Sequence, residues 1–310
     1  MAVARETWVG LMATEYLDDF VPAGGGAVRF VVAEAEGLDH AATALAQRAA
    51  TAGLRTIRVT LAETKLHMLH HFFFAVARQL PWEQLLQARV EALVVAGEYR
   101  WPRPGAPMTL NELAEANGIT AHLLHRQLLQ WLTAEVWHDA ALAQDFRKAM
   151  IAALENTLTG ENVILHEAVL DWLRGDLRRL ATVRAAAIGS RIGRHNARAM
   201  LTSLFHFLRG CGAPGVLVLL DIRRLHQPGR GEGVSYTPAG VMDCYEVLRQ
   251  IIDDTEHFPG LFLAVLADDA LLGDSNRALG RYDALKMRLF DDVPLRGRDN
   301  PMAPLVRLGS

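Results

Sequence analysis

Two runs in the second half of this chain, Val216-Leu217-Val218-Leu219-Leu220 and Leu261-Phe262-Leu263-Ala264-Val265-Leu266, contain no polar side chain at all. Such runs are short for helices, and without polar alternation they must bury both faces, as strands of a parallel sheet covered on each side by helices do. Helical patterns lie on either side of the first run, over about 196–209 and about 239–254. Near the N-terminus the chain repeats the theme. A strand at about 28–33 is followed by an alanine-rich helix, from about Asp39 to Ala52, that Gly53 stops. A second strand follows at 56–61. Strand, helix and strand in this order predict parallel pairing through a right-handed crossover. A helix over about 66–80 ends at Pro81, and a helix at about 281–290 precedes a last short strand at 304–308. Five parallel strands alternating with helices predict a doubly wound α/β domain.

That alternation is interrupted. From Trp82 to about His195 no strand pattern occurs, and apolar residues recur at helical spacing through 85–95, 123–132, 146–158 and 163–173. The predicted organisation is therefore an α/β core made of 1–83 and 196–310, with a helical insertion at 84–195. Pro228, Gly229, Gly231 and Gly233 mark a loop after the first apolar run. With 51% apolar and 22% charged residues the chain has ordinary globular composition, and a net charge of −3 exerts no global pull toward nucleic acid or anionic lipid. The two cysteines, Cys211 and Cys244, make neither a disulfide framework nor a zinc site; they read as small core residues of a protein in a reducing cytoplasm. No apolar run approaches the roughly 18 residues that a membrane span needs, so no membrane association is expected.

The run at 215–221 closes on Asp221, the pattern of a Walker B strand. There the aspartate holds Mg²⁺ and the following residue, usually Glu, activates water. Here Ile222 follows, and it cannot accept a proton. The partner motif, G-x-x-x-x-G-K-[ST], belongs after the first strand, where its glycines turn backbone N–H groups to the phosphates and its lysine reaches the β and γ oxygens. The sequence there is Ala33-Glu34-Ala35-Glu36-Gly37-Leu38-Asp39-His40. Asp39 holds the lysine position and His40 the Ser/Thr position, and Glu34, Glu36 and Asp39 place three carboxylates where a triphosphate would bind.

Several further stretches carry a resemblance. They are Glu15-Tyr16-Leu17-Asp18 with Gly24-Gly25-Gly26; Asn196-Ala197-Arg198 leading to 215–221; Tyr245 to Asp253; Pro259-Gly260-Leu261; Tyr282-Asp283-Ala284-Leu285 with Arg288; and Asn300-Pro301 with 303–308. In this order the chain resembles the bacterial P-loop ATP-binding proteins of BREX-type defence systems, the BrxC, BrxD and PglY relatives, which carry an AAA+-like core. Members with an intact site read roughly G-x-Y-G-S-G-K-T after the first strand. Against that pattern Ala33, Glu36 and Leu38 stand at glycine positions, Gly37 stands between two of them among the degenerate loop positions, and Asp39 and His40 replace the lysine and the hydroxyl residue. The resemblance expects a small polar sensor where Asp268-Asp269 stand, and it makes Arg288 a candidate arginine finger acting on a neighbour's nucleotide.

The resemblance thus implies a P-loop, AAA+-like three-layer fold and a catalytically inactive pseudo-ATPase, with no catalytic residue, cofactor or metal of its own. It implies a protein partner, an active ATPase or helicase of the same system, in a hetero- or homo-oligomer, with DNA contacted through the complex. The helical insertion and the edge with Arg281, Arg288 and Arg307 are the expected contact surfaces. An ATPase with a non-standard nucleotide loop is one alternative. Another is a DNA-binding adaptor. The segment 109–128 reads as helix-turn-helix, presenting His122, His125, Arg126 and Gln127, and seven arginines between 174 and 198 read as a solvated helix face or a phosphate-binding one. His67 and His71 have metal-compatible i, i+4 spacing but lack the Glu of H-E-x-x-H, so an ordinary amphipathic helix is expected there.

Overall fold

Among the described residues the sheet has six strands, all parallel, rather than five. The computed structural model describes residues 2–227, 233–290 and 300–309, so Pro228, Gly229 and Gly231 of the expected loop lie outside the described residues. The strands are β1 (Val3–Ala4), β2 (Ala27–Val32), β3 (Arg55–Thr60), β4 (Val216–Asp221), β5 (Leu261–Ala267) and β6 (Leu305–Gly309), in the spatial order β1-β6-β2-β5-β4-β3. The unforeseen strand is β1. Its two residues pair with β6, Val3 opposite Leu308, and two residues are too few to show a period. The helices are α1 (Arg5–Met12), α2 (Ala35–Thr51), α3 (Leu69–Ala77), α4 (Trp82–Ala96), α5 (Leu110–Ala116), α6 (Ala121–Leu132), α7 (Gln144–Thr159), α8 (Val163–Arg174), α9 (Ala197–Gly210), α10 (Pro238–Asp253) and α11 (Asp283–Leu289).

The chain divides into two compact units, 1–76 with 213–310, and 77–212. The expected boundaries, 83/84 and 195/196, compare with 76/77 and 212/213, and α9 belongs to the helical unit.

In the α/β unit the chain leaves β2, passes over β5 and β4, and enters the sheet again at its edge as β3. The later connections, β4 to β5 and β5 to β6, run the other way. Right-handed crossovers therefore put α2 on one face and α10 and α11 on the other. On the α2 face, Leu38, Ala41, Ala42, Leu45 and Ala49 share one core with Val31, Leu217, Leu219, Phe262, Ala264 and Val306. Alternate strand residues point oppositely, and Phe30, Val32, Val218, Leu220, Leu263 and Val265 are buried too, so both faces are covered. Trp8, Met12 and Leu17, from α1 and a π-helical segment over Ala13–Phe20, close the α2 side. At the start of β2 the backbone is approached so closely that a Cβ on Gly26 would stand 2.3 Å from the Thr255 carbonyl oxygen. That contact explains the glycine physically.

The second unit is helical throughout its regular elements. Here α4 packs on α7, α5 on α6, and α7 on α8. Trp82 and Phe146 pack against Phe207 of α9, with ring centroids 6.4 and 5.9 Å apart. The arginine-rich stretch is not a helix face. After Arg174 ends α8, the chain runs through bends and a 3-10 turn at Leu180–Ala186, and regular helix resumes only at Ala197. Gly175 and Gly189, and the left-handed Ala187 (φ 55°), break the period that the arginine spacing suggested.

Candidate functional site

The segment where a phosphate loop would lie is almost all helix. β2 ends at Val32 and α2 begins at Ala35, leaving two residues between them. The expected helix start at Asp39 is thus four residues late. The Leu38 N–H already donates to the Glu34 carbonyl at 3.0 Å, so it is spent inside the helix and does not face a ligand. The early start has a packing cause. It places Leu38, fully buried, at the head of the stripe Leu38, Ala41, Ala42, Leu45 that seats α2 on the sheet. Glu36 in the first turn complements the positive end of the helix. Of the expected positions, Ala33 is buried. Gly37 sits over it, where an added Cβ would be 3.4 Å from the Ala33 methyl. Glu36, Asp39 and His40 are exposed.

The end of β4 carries the more decisive feature. Ile222 is fully buried and its N–H donates to the Leu266 carbonyl at 2.9 Å, so the position after the aspartate points into the core. Asp221 meets Arg223. The Arg223 backbone N–H donates to Asp221 Oδ1 at 3.0 Å, its Nε lies 3.0 Å from both Oδ1 and Oδ2, and its Nη2 lies 2.6 Å from Oδ2. The same Nη2 donates to Asp39 Oδ1 at 3.2 Å. One guanidinium therefore joins the two positions that would hold Mg²⁺ and stand for the lysine. The hydrogen bonds to Asp221 hold the arginine's pKa above its ordinary value, followed by the charges of Asp221 and Asp39. The motif comparison does not single out Arg223. The available signal was the Asp-x-Arg spacing at a strand end, which lets a side chain fold back onto the carboxylate.

Other charged groups along this edge have neighbours within the chain, while Glu34 and Glu36 are exposed. Asp269 binds Arg307 at 3.2 Å, and Asp268 Oδ1 stands 3.5 Å from Nδ1 of the buried His226. His226 Nε2 meets the Tyr245 hydroxyl at 2.8 Å, and that hydroxyl donates to the Arg277 carbonyl at 2.8 Å. Burial lowers the His226 pKa, against the pull of Asp268. Beside β2 an open cleft of about 490 Å³ is lined by Glu34, Glu36 and Asp269 as well as by Arg5, His40 and Arg307. A nucleotide and its Mg²⁺ do not fit this donor set: the lysine is absent, the Leu38 N–H is taken by the Glu34 carbonyl, and the Asp221 carboxylate is occupied by Arg223.

The other expected residues lie elsewhere. Arg288 is half-buried and engaged by Asp253, with Nη2 to Oδ2 at 2.9 Å and a second, shorter contact through Nε. Arg249 binds the same Asp253 and also Glu246 at 2.6 Å. In the helical unit, α6 presents His122 and Arg126 to solvent. Gln127 is partly buried, and His125 is bound to Glu155 at 2.9 Å. The His67 and His71 rings lie 4.6 Å apart and those of His70 and His71 4.2 Å apart, but among the described residues no group of three or more His, Cys, Asp or Glu is placed to hold a metal ion. Burial raises the Cys211 thiol to about 12 and raises Cys244 further. No helix among the described residues is long and apolar enough to cross a membrane.

Residues 110–310 match the model of one protein family, described as BREX system ATP-binding protein BrxC/D. No curated protein and no solved structure matches the chain.

Proposed function

The chain belongs to the BREX system ATP-binding protein family BrxC/D, a family of a phage-defence system, and within it we propose that this chain is a pseudo-ATPase, a structural or regulatory subunit that binds no nucleotide at its own site. The observation that carries this reading is the Asp39–Arg223–Asp221 bridge. An ATPase site keeps its Walker B aspartate open to a hydrated metal ion. Here the guanidinium already satisfies that aspartate with charge-assisted, bidentate bonds, among the strongest polar contacts a protein makes. An entering Mg-ATP would have to displace it and would then face Glu34, Glu36 and Asp39 without a lysine.

The strand order supports an AAA+-like core for this subunit. β2 and β4 are separated by β5, so the turn into α2 and the carboxylate of Asp221 emerge on the same edge of the sheet. Ligands of open α/β sheets bind at such carboxyl ends. The architecture is thus kept while the chemistry is lost, and the remaining role is contact. The subunit works beside an ATP-hydrolysing component of the same system.

Titration calorimetry of the purified chain with Mg-ATP tests this. Only heat of dilution is expected. A dissociation constant in the micromolar range, weakened by Asp221→Ala, would overturn the proposal in favour of an ATPase with a non-standard loop.

A further inference from the structure

We propose that the helical unit binds double-stranded DNA, with α6 as the helix that enters the major groove and the arginine-rich segment 174–198 gripping the phosphate backbone. This inference rests on residues of 77–212 and does not depend on the nucleotide-site reading.

The geometry begins with α5 and α6. Four residues, 117–120, join them, and Gly118 takes a left-handed φ of +65° with open space around it. The turn is pinned from both sides. The Ile119 N–H donates to the Ala114 carbonyl at 3.1 Å, and Asn117 exchanges hydrogen bonds with the Arg100 backbone at 2.8 and 2.9 Å. Both helices are capped. Thr109 and Glu112 form a capping box on α5, and Thr120 accepts the Leu123 N–H at 3.3 Å on α6. Leu113, Ala114, Leu124, Leu128 and Leu132 fill the interior. A short helix, a glycine turn and a longer helix built this rigidly are the frame of a helix-turn-helix reader, whose second helix enters the groove by its N-terminal half.

The outer face of α6 has the chemistry that reader needs. In the N-terminal half of α6 His122 and Arg126 are exposed, four residues apart, and Leu129 and Gln130 continue that face toward the C-terminal half. Arginine and glutamine are the side chains that pair in bidentate fashion with guanine and adenine edges. Residues 121–132 include no acid.

The second basic feature supplies the backbone contacts. Residues 174–198 hold seven arginines against one acid, Asp176, and that acid is taken by Arg78 at 2.9 Å. Arg178, Arg179, Arg184 and Arg194 are exposed, Arg184 in the 3-10 segment and the others outside regular helix. The two features border the same side of α7. Glu155 of α7 binds His125 of α6, and it also lines a cleft of about 420 Å³ that Glu161 and Ala185–Ala187, next to Arg184, line as well. A local excess of this size on a chain of net charge −3 is a patch, which whole-chain charge conceals.

The test uses the full chain and a fluorescein-labelled random duplex of about 30 base pairs, read by anisotropy between about 50 and 200 mM salt. Binding is expected, with log K falling linearly in log salt. Arg126→Glu with Gln130→Glu should weaken it at least about tenfold, with circular dichroism and melting unchanged. Arg126→Ala serves if that pair fails to fold. Arg178→Ala with Arg179→Ala should reduce the salt slope by about two, at roughly 0.9 per phosphate contact. Absence of binding at the lowest salt overturns the proposal, as does equal affinity in the α6 variants. Preference for single-stranded RNA, or a face that instead captures a protein of the same system and excludes DNA, overturns it as well.

Discussion

At the scale of single residues, Arg223 decides what the end of β4 can do. It makes four hydrogen bonds to Asp221 and one to Asp39, and both Arg223 and Asp221 are about three-quarters buried, with side-chain exposures of 23% and 24%. Arg223→Ala leaves a largely desolvated carboxylate without its partner and should cost about 2 kcal/mol in urea unfolding. Arg223→Lys should recover only part of that, since an ammonium cannot reproduce the bidentate fork. Unchanged stability in the alanine variant would mean that the bridge is ornamental. Restoring the motif residues should fail for a related reason. In Asp39→Lys/His40→Thr/Ile222→Glu, α2 still begins at Ala35 and Leu38 still fills the core, while the new glutamate enters a fully buried position. A phosphate-release assay is expected to show no turnover, and a rate near 1 per second, within the ordinary enzyme range, would contradict this account of the site.

At the scale of elements, the first turn of α3 holds a cluster that nothing in the nucleotide-site reading uses. Burial, and then the neighbouring His70 and His67, lower the His71 pKa to about 4, and burial lowers that of His70. An unfolded histidine titrates near 6.5. Between about pH 6.5 and 4 the unfolded chain therefore binds more protons here than the folded one, and stability falls as pH falls through that window. The melting temperature should drop between pH 7 and pH 5, and His71→Phe should flatten the drop. A variant with the same pH profile as the parent would remove His71 from the explanation. The α5–α6 turn has its own sensitive point, Gly118, whose positive φ strains any residue with a Cβ. Gly118→Val should lower the melting temperature even though the space around the glycine is open.

At the scale of the whole molecule, the chain belongs to the BREX ATP-binding family, and the proposed role is one of assembly. Arg288, the candidate for action on a neighbour's nucleotide, is held by Asp253, so a role in trans requires it to exchange one carboxylate for another anionic group. Arg288→Ala and Asp253→Ala both break this partly exposed pair, and each should cost under about 1 kcal/mol. They separate in function. If Arg288 completes a partner's site, Arg288→Ala depresses the ATPase of the co-purified partner while Asp253→Ala leaves it intact. Equal effects of the two would reduce Arg288 to a local structural role.

Much of the fold was legible from the chain alone, because burial on both faces leaves a mark that needs no partner to be seen. Strands β4 and β5 came from apolar runs, β2, β3 and β6 from their place in the strand–helix alternation, and the helical interruption from a change of period. The departures from the motif were legible too, since Asp39 and Ile222 differ in chemistry from the lysine and glutamate of an intact site. The start of α2 was not legible. Ala35-Glu36-Gly37-Leu38 suits either a turn or a helix, and only the sheet beneath Leu38 chooses. Nor was the two-residue β1, which exists only because β6 offers it an edge. The bridge from Arg223 to Asp39 spans 184 residues of sequence. It needs the order β2-β5-β4 to bring those positions together, and a contact of that range is a property of the packed sheet alone.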